Sequence, residues 1–175
     1  HEALSDLAID WCIVGHLQSN KVKYLTRFAH EFHALDSLVL ADLLNKRLER
    51  EGRFLDCYVQ VNTSGEQSKF GLHPQSLLPF IERLVEFPRL RPRGLMTLAV
   101  FSADMDKVRP CFRLLRRLRD EAVKRNSALT ELSMGMSGDF EAAIEEGANV
   151  VRVGQAIFGQ RPPPDSHYWP GSAAR

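Results

Sequence analysis

A chain of 175 residues, 44% hydrophobic and 26% charged, is long enough to bury a core without a disulfide or metal staple. Its 23 basic and 22 acidic residues leave a formal net charge of +1, which argues against nucleic acid or an anionic membrane as the main partner. No apolar run approaches the roughly 18 residues of a membrane span and no signal peptide pattern opens the sequence, so the cytoplasm is the expected location.

In chain order, short β-rich runs alternate with longer helical stretches. The predicted strands are Ile9–Gly15, Phe32–Asp36, Leu55–Asn62, Leu90–Leu98, Glu131–Gly135 and Val150–Gly154. Between the second and third, Ser37 is placed to cap a helix over Leu38–Glu51. Pro74 suits the first turn of a helix running to Glu86. Over Met105–Arg125, residues Val108, Cys111, Phe112, Leu115, Leu118 and Ala122 form an apolar stripe, and Arg113–Arg119 reads as the solvated face of that helix. Asp139 is placed to cap a helix ending near Gly147.

Strict β-then-α alternation implies a parallel sheet, because parallel strands need a crossover connection. A complete (β/α)8 TIM-type barrel takes about 31 residues per unit. The choice is between an open doubly wound sheet and a closed barrel; on that scale this length holds five to six units and six strands are visible, so the expected fold is an α/β barrel lacking its first two units. Residues 1–160 form this partial barrel, and the Pro-rich segment 161–175 reads as an extended tail. The sequence starts at His1 without an initiator methionine, so a longer protein is expected. Cys12, Cys57 and Cys111 include no CxxC pair, and buried free thiols are the simplest expectation.

Leu132–Gly159 carries the densest chemistry. Ser133–Gly138, a small and polar stretch including Met136 and Ser137, sits between a strand and a helix, where free backbone N–H groups gather. Gly154–Gln155 opens a second such turn after the last strand. In barrels the loops after the final two strands often hold phosphate. The plain alternative is that the glycines only permit tight turns. Arg152 interrupts an apolar strand; it either forms a structural ion pair or meets a polar ligand beside the phosphate. His16, closing the first strand, is either hydrogen-bonded structurally or turned to the rim, and Asn62 admits the same two readings. The loop Thr63–Gly71 either covers a ligand or is a solvated connection. No HExxH, GxSxG or P-loop pattern occurs, and no set of residues has metal-ligand spacing.

The segments IVGHLQSNK (Ile13–Lys21), VNTSGEQSKFGL (Val61–Leu72), RGLMTL (Arg93–Leu98), LSMGMSGDFEAAIEEGANVVRVG (Leu132–Gly154) and AIFG (Ala156–Gly159) resemble the pyridoxal phosphate homeostasis protein family, relatives of the barrel domain of alanine racemase. The resemblance implies pyridoxal 5′-phosphate as cofactor. Ser137 and the backbone N–H groups of Gly154 and Gln155 would bind its phosphate, and Arg152 would face the pyridine nitrogen. Met136 and His16 are expected beside them as further cofactor-binding residues. Position 155 is commonly Thr in the family, so Gln155 leaves only the backbone contact. The family's Schiff-base lysine lies on the first barrel strand, followed by an FGENY-like segment after the second; neither is in this sequence. Lys21, Lys23, Lys46, Lys69, Lys107 and Lys124 all read as helix or loop residues, Lys69 being nearest a rim position. The implied role is a monomeric carrier that buffers pyridoxal phosphate and passes it to apo-enzymes. A racemase-like enzyme, or a barrel binding another phosphorylated metabolite, are the alternatives.

Overall fold

The computed structural model describes residue 4 and residues 6–159; the tail expected over 161–175 lies outside the described residues. Six strands form one sheet: β1 (Cys12–Ile13), β2 (Glu31–Leu35), β3 (Leu55–Gln60), β4 (Leu90–Met96), β5 (Glu131–Met136) and β6 (Val150–Arg152). Each predicted strand is present. β1 and β6 are shorter than expected because each has one ladder partner in the described sheet, and backbone pairing stops where that partner ends.

The sheet order is β1-β2-β3-β4-β5-β6 and every pair is parallel. Consecutive order without reversal is the winding of a barrel wall, not of a doubly wound sheet. Side chains prove the curl. His33 on β2 reaches Ser133 on β5 at 2.9 Å. Three strand steps span about 14 Å in a flat sheet, so only a sheet rolled toward its inner face brings these two together.

The helices α1 (Val22–Phe28), α2 (Leu38–Glu51), α3 (Leu77–Arg83), α4 (Met105–Val123), α5 (Phe140–Glu145) and α6 (Gln155–Phe158) connect or follow the strands. Strand side chains alternate between two faces. Phe32, Ala34, Cys57, Val59, Leu132 and Met134 are buried in a core shared with Leu44 and Leu48 of α2 and Phe112 and Leu115 of α4. The alternate positions Glu31, His33, Tyr58, Glu131 and Ser133 therefore face inward, where His33 meets Ser133 and Tyr58 meets Glu131 across strands and His33 meets Glu31 along its own strand.

The Ser37 cap forms as expected, its hydroxyl accepting from the Leu40 N–H at 3.2 Å. Ser37→Ala should cost about 1 kcal/mol of stability in urea unfolding, with no change in the fold's circular dichroism. Asp139 occupies the cap position of α5 but makes no side-chain cap bond there. Its carboxylate accepts instead from the Met136 N–H at 2.6 Å, while its own N–H donates to the Met136 carbonyl at 3.0 Å. The residue closes a tight turn and leaves the helix N–H groups alone.

The arginine face of α4 is also more than solvated surface. Arg109, Arg113 and Arg116 converge on the Glu146 carboxylate, whose side chain is only 7% exposed, and so bolt the end of α5 onto α4. Of the three free thiols, Cys57 and Cys111 are buried as expected, but Cys12 is exposed because it lies on the edge strand.

Candidate functional site

Parallel strands bring their C-terminal ends to one rim, so the turns leaving β5 and β6 are neighbours. Met136 pairs with Arg152 in the ladder, which places Ser137 and Gly154 side by side. The Ser137 hydroxyl oxygen accepts from the Gly154 N–H at 3.2 Å and the Ala156 N–H at 3.3 Å. The two turns thus converge on one point, the condition on which a shared phosphate site depends. The Ser137 hydroxyl proton remains available to donate outward, and the Gln155 N–H has no partner among the described residues. Above Gly138 and Gly154 an added Cβ would meet nothing within 4 Å, so a ligand can approach both backbones.

Gly135 makes this geometry possible. Its φ of +95° turns the chain out of β5, and a Cβ there would lie 2.6 Å from the Ala143 Cβ. Gly135→Ala should cost about 2 kcal/mol and shift Ser137, read as a lowered urea midpoint together with weaker phosphate binding.

Arg152 has no salt bridge among the described residues; neutral oxygens hold it. Its two terminal nitrogens donate to the Ser133 hydroxyl at 2.7 Å and the Thr97 carbonyl at 2.8 Å. Its Nε is buried without a partner. Burial pulls the guanidinium down to about 10, against the pull of Asp139, so it stays charged at neutral pH. Among the described residues the ion-pair reading of this residue is therefore not met, and its partners are two neutral oxygens.

Behind Arg152 runs a chain that the sequence did not disclose. Arg152 can only donate, so Ser133 Oγ accepts from it. The Ser133 hydroxyl then donates to His33 Nδ1 at 2.9 Å, and His33 Nε2–H donates to the Glu31 carboxylate at 2.8 Å. The His33 ring also lies 4.0 Å from the Tyr58 ring, and the Tyr58 hydroxyl donates to Glu131. Burial lowers the His33 pKa, with Glu31 opposing. The unfolded chain then takes up a proton here at higher pH than the folded chain, so stability falls as pH drops below about 6.5. Between about pH 7.5 and about pH 5.5, the melting temperature should fall less in His33→Gln than in wild type. Equal slopes would remove His33 as the cause. Ser133, His33 and Thr97 all interrupt apolar strand segments at inward positions, and that polar intrusion was the signal available in the sequence.

The remaining expected residues lie on the rim, apart from this cluster. His16 is exposed and stacks on Phe70, ring centroids 4.1 Å apart and 11° from parallel. Burial pushes the nearby Asp36 carboxyl up, with His16 opposing. Asn62 is structural: its Nδ2 donates to the Glu66 and Lys69 carbonyls and its Oδ1 accepts from the Gly65 N–H, which folds the 63–71 loop on itself. Lys69 pairs with Glu66 and donates to the Ala99 carbonyl at 2.7 Å, tying that loop to the segment after β4. Met136 is 49% exposed beside Ser137 at the end of β5. Lys46, Lys107 and Lys124 pair with acidic neighbours on their own helices or helix caps.

Residues 3–162 match the family model of the alanine racemase N-terminal domain. A pyridoxal phosphate homeostasis protein of Aquifex aeolicus is 46% identical over 162 residues, covering 92% of this chain and 71% of that protein. The chain belongs to this family. The human pyridoxal phosphate homeostasis protein is 41% identical over 162 residues, covering 87% of this chain and 59% of its own length. Thus the chain spans about six to seven tenths of the curated relatives it matches. Among solved structures, PipY of Synechococcus elongatus with pyridoxal phosphate bound superposes with a TM-score of 0.82 at 31% identity, covering 90% of this chain and 74% of PipY. An alanine racemase of Clostridium difficile gives 0.75 at 16% identity, covering 94% of this chain and 44% of the racemase, a likeness of fold alone. The α/β barrel-wall architecture expected from strand alternation agrees with both. Among the described residues no helix is long and apolar enough to cross a membrane.

Proposed function

We propose that this protein binds pyridoxal 5′-phosphate at the rim between β5 and β6 and serves the cell as a carrier and buffer of that cofactor. The observation that carries the reading is the convergence of the Gly154 and Ala156 N–H groups on the Ser137 hydroxyl. The residues suit the group. A phosphoryl oxygen fits over the open glycine backbones of Gly138 and Gly154, taking bonds from the Ser137 hydroxyl and the Gln155 N–H. Arg152 and its unpartnered Nε lie on the inner side of that grip, where the pyridine ring would extend. Met136 flanks the grip, and His16 on its Phe70 stack borders the same rim.

When bound, pyridoxal phosphate supplies an electrophilic aldehyde and an electron-withdrawing ring. Arg152, fixed by Ser133 and Thr97, would hold positive charge toward the ring nitrogen and would disfavour its protonation, which would weaken the ring as an electron sink. Such an environment favours holding the cofactor over turning it over. The lysine for covalent attachment would belong to two further βα units in the whole protein, pairing along the outer edge of β1. On this reading residues 1–160 are the cofactor-binding unit. The whole protein acts as a cytoplasmic monomer whose recipients are apo-enzymes needing the cofactor. The test is equilibrium dialysis of the whole protein against pyridoxal phosphate, with amino-acid racemisation assayed in parallel. Saturable retention without turnover is expected; turnover at ordinary enzyme rates overturns the carrier role.

A further inference from the structure

We propose that Cys12, Glu31 and His33 form a site for a divalent transition-metal ion, zinc being the best match, on the inner face of the barrel wall. Cys12 comes from the edge strand β1, and Glu31 and His33 come from alternate positions of β2, which the parallel register sets beside it. The Cys12 sulfur and the His33 Nε2 both meet the same carboxylate oxygen of Glu31, at 3.4 Å and 2.8 Å. The three ligand atoms all lie within 4.8 Å of one another. Zinc bonds of about 2.0–2.3 Å in a tetrahedron set ligand atoms roughly 3.3–3.8 Å apart, so the atoms need to move by about an ångström or less. A thiolate, an imidazole and a carboxylate are the mixed soft and borderline donors that zinc accepts, and three protein ligands leave a fourth position open.

The support behind the histidine also fits. A metal-bound imidazole needs its far N–H held by an acceptor. His33 Nδ1 already faces Ser133 Oγ at 2.9 Å. On binding, the ring proton moves from Nε2 to Nδ1 and donates to Ser133 Oγ, which then accepts from both His33 and Arg152 and uses both its lone pairs. The thiol proton of Cys12 leaves to solvent, so one proton is released per ion bound. The sequence shows no spacing signature for this site because its ligands come from two strands separated by a whole helix. It shares Ser133 with the support of Arg152 but requires no cofactor.

Cobalt(II) is the probe, added to the metal-free whole protein in a reductant that does not chelate. Uptake of one cobalt per chain with a thiolate-to-cobalt charge-transfer band in the near ultraviolet is the expected result, with zinc abolishing the band by displacement. Cys12→Ser should lose the band, His33→Gln should lose saturable uptake, and Ser133→Ala should weaken affinity by about tenfold. The Cys57→Ala and Cys111→Ala variants should keep the band. Cys12→Ser should also keep its pyridoxal phosphate, which separates this site from the cofactor site. Absence of saturable uptake by wild type, or a band that survives in Cys12→Ser, overturns the proposal. Failure of wild type to retain pyridoxal phosphate would bear on the proposed function and leave this one standing.

Discussion

Replacing Ser137 and Arg152 together by alanine is expected to weaken pyridoxal phosphate retention by about a hundredfold. Each side chain contributes a hydrogen bond or a charge to an ionised ligand, worth about 1.5–3 kcal/mol, or roughly tenfold or more apiece. Ser137 also organises the donors around it, since the Gly154 and Ala156 N–H groups point at its oxygen. Without that oxygen the β6 turn loses its tie to the β5 turn. Arg152→Ala in addition strips the Ser133 hydroxyl and the Thr97 carbonyl of their shared donor. Arg152→Lys should fall between the two, because an ammonium keeps the charge but cannot fork to both oxygens. Equilibrium dialysis reads all three variants. Affinity unchanged in the double variant would remove both residues from the cofactor site.

Gly94→Ala is expected to be the most destabilising single methyl addition in the sheet, at about 4 kcal/mol. A Cβ at this position would sit 2.0 Å from the Glu131 carbonyl oxygen and 2.6 Å from its carbonyl carbon. Both are backbone atoms of the paired strand, so nothing flexible can yield. Gly94 and Glu131 are ladder partners, and separating them pulls β4 from β5. The same movement disturbs the Glu131 side chain, which receives Tyr58 and Arg93 on the inner face. Urea unfolding measures the loss directly. A midpoint shift worth less than about 1 kcal/mol would mean that the two strands separate more easily than their packing implies.

Local structure was largely legible, except that the first strand, expected over Ile9–Gly15, pairs only at Cys12–Ile13. The strand positions, the Ser37 cap and the long helix from Met105 follow from periodicity and capping chemistry, which depend on neighbours a few residues away. The β5 and β6 turns were also legible, because Gly and Ser mark turns at strand ends and parallel strands bring such ends together. Asp139 takes the expected cap position, but its identity suits a cap and a turn equally well, and only the Met136 N–H decides that its carboxylate serves the turn. Arg152 stood equally between an ion pair and a ligand contact, because its partners lie 19 and 55 residues away in sequence.

What the amino-acid order determined by itself is the alternation of strand and helix, the parallel winding it requires, and the position of the two small-residue turns at the ends of β5 and β6. What only the tertiary structure decided is which inward side chains meet. His33 and Ser133 are 100 residues apart, and Cys12 and Glu31 are 19 apart on different strands. Periodicity says which face a side chain takes, since it is a property of one strand. Contact across that face depends on how far the sheet rolls, and the roll is set by all six strands and the helices packed behind them.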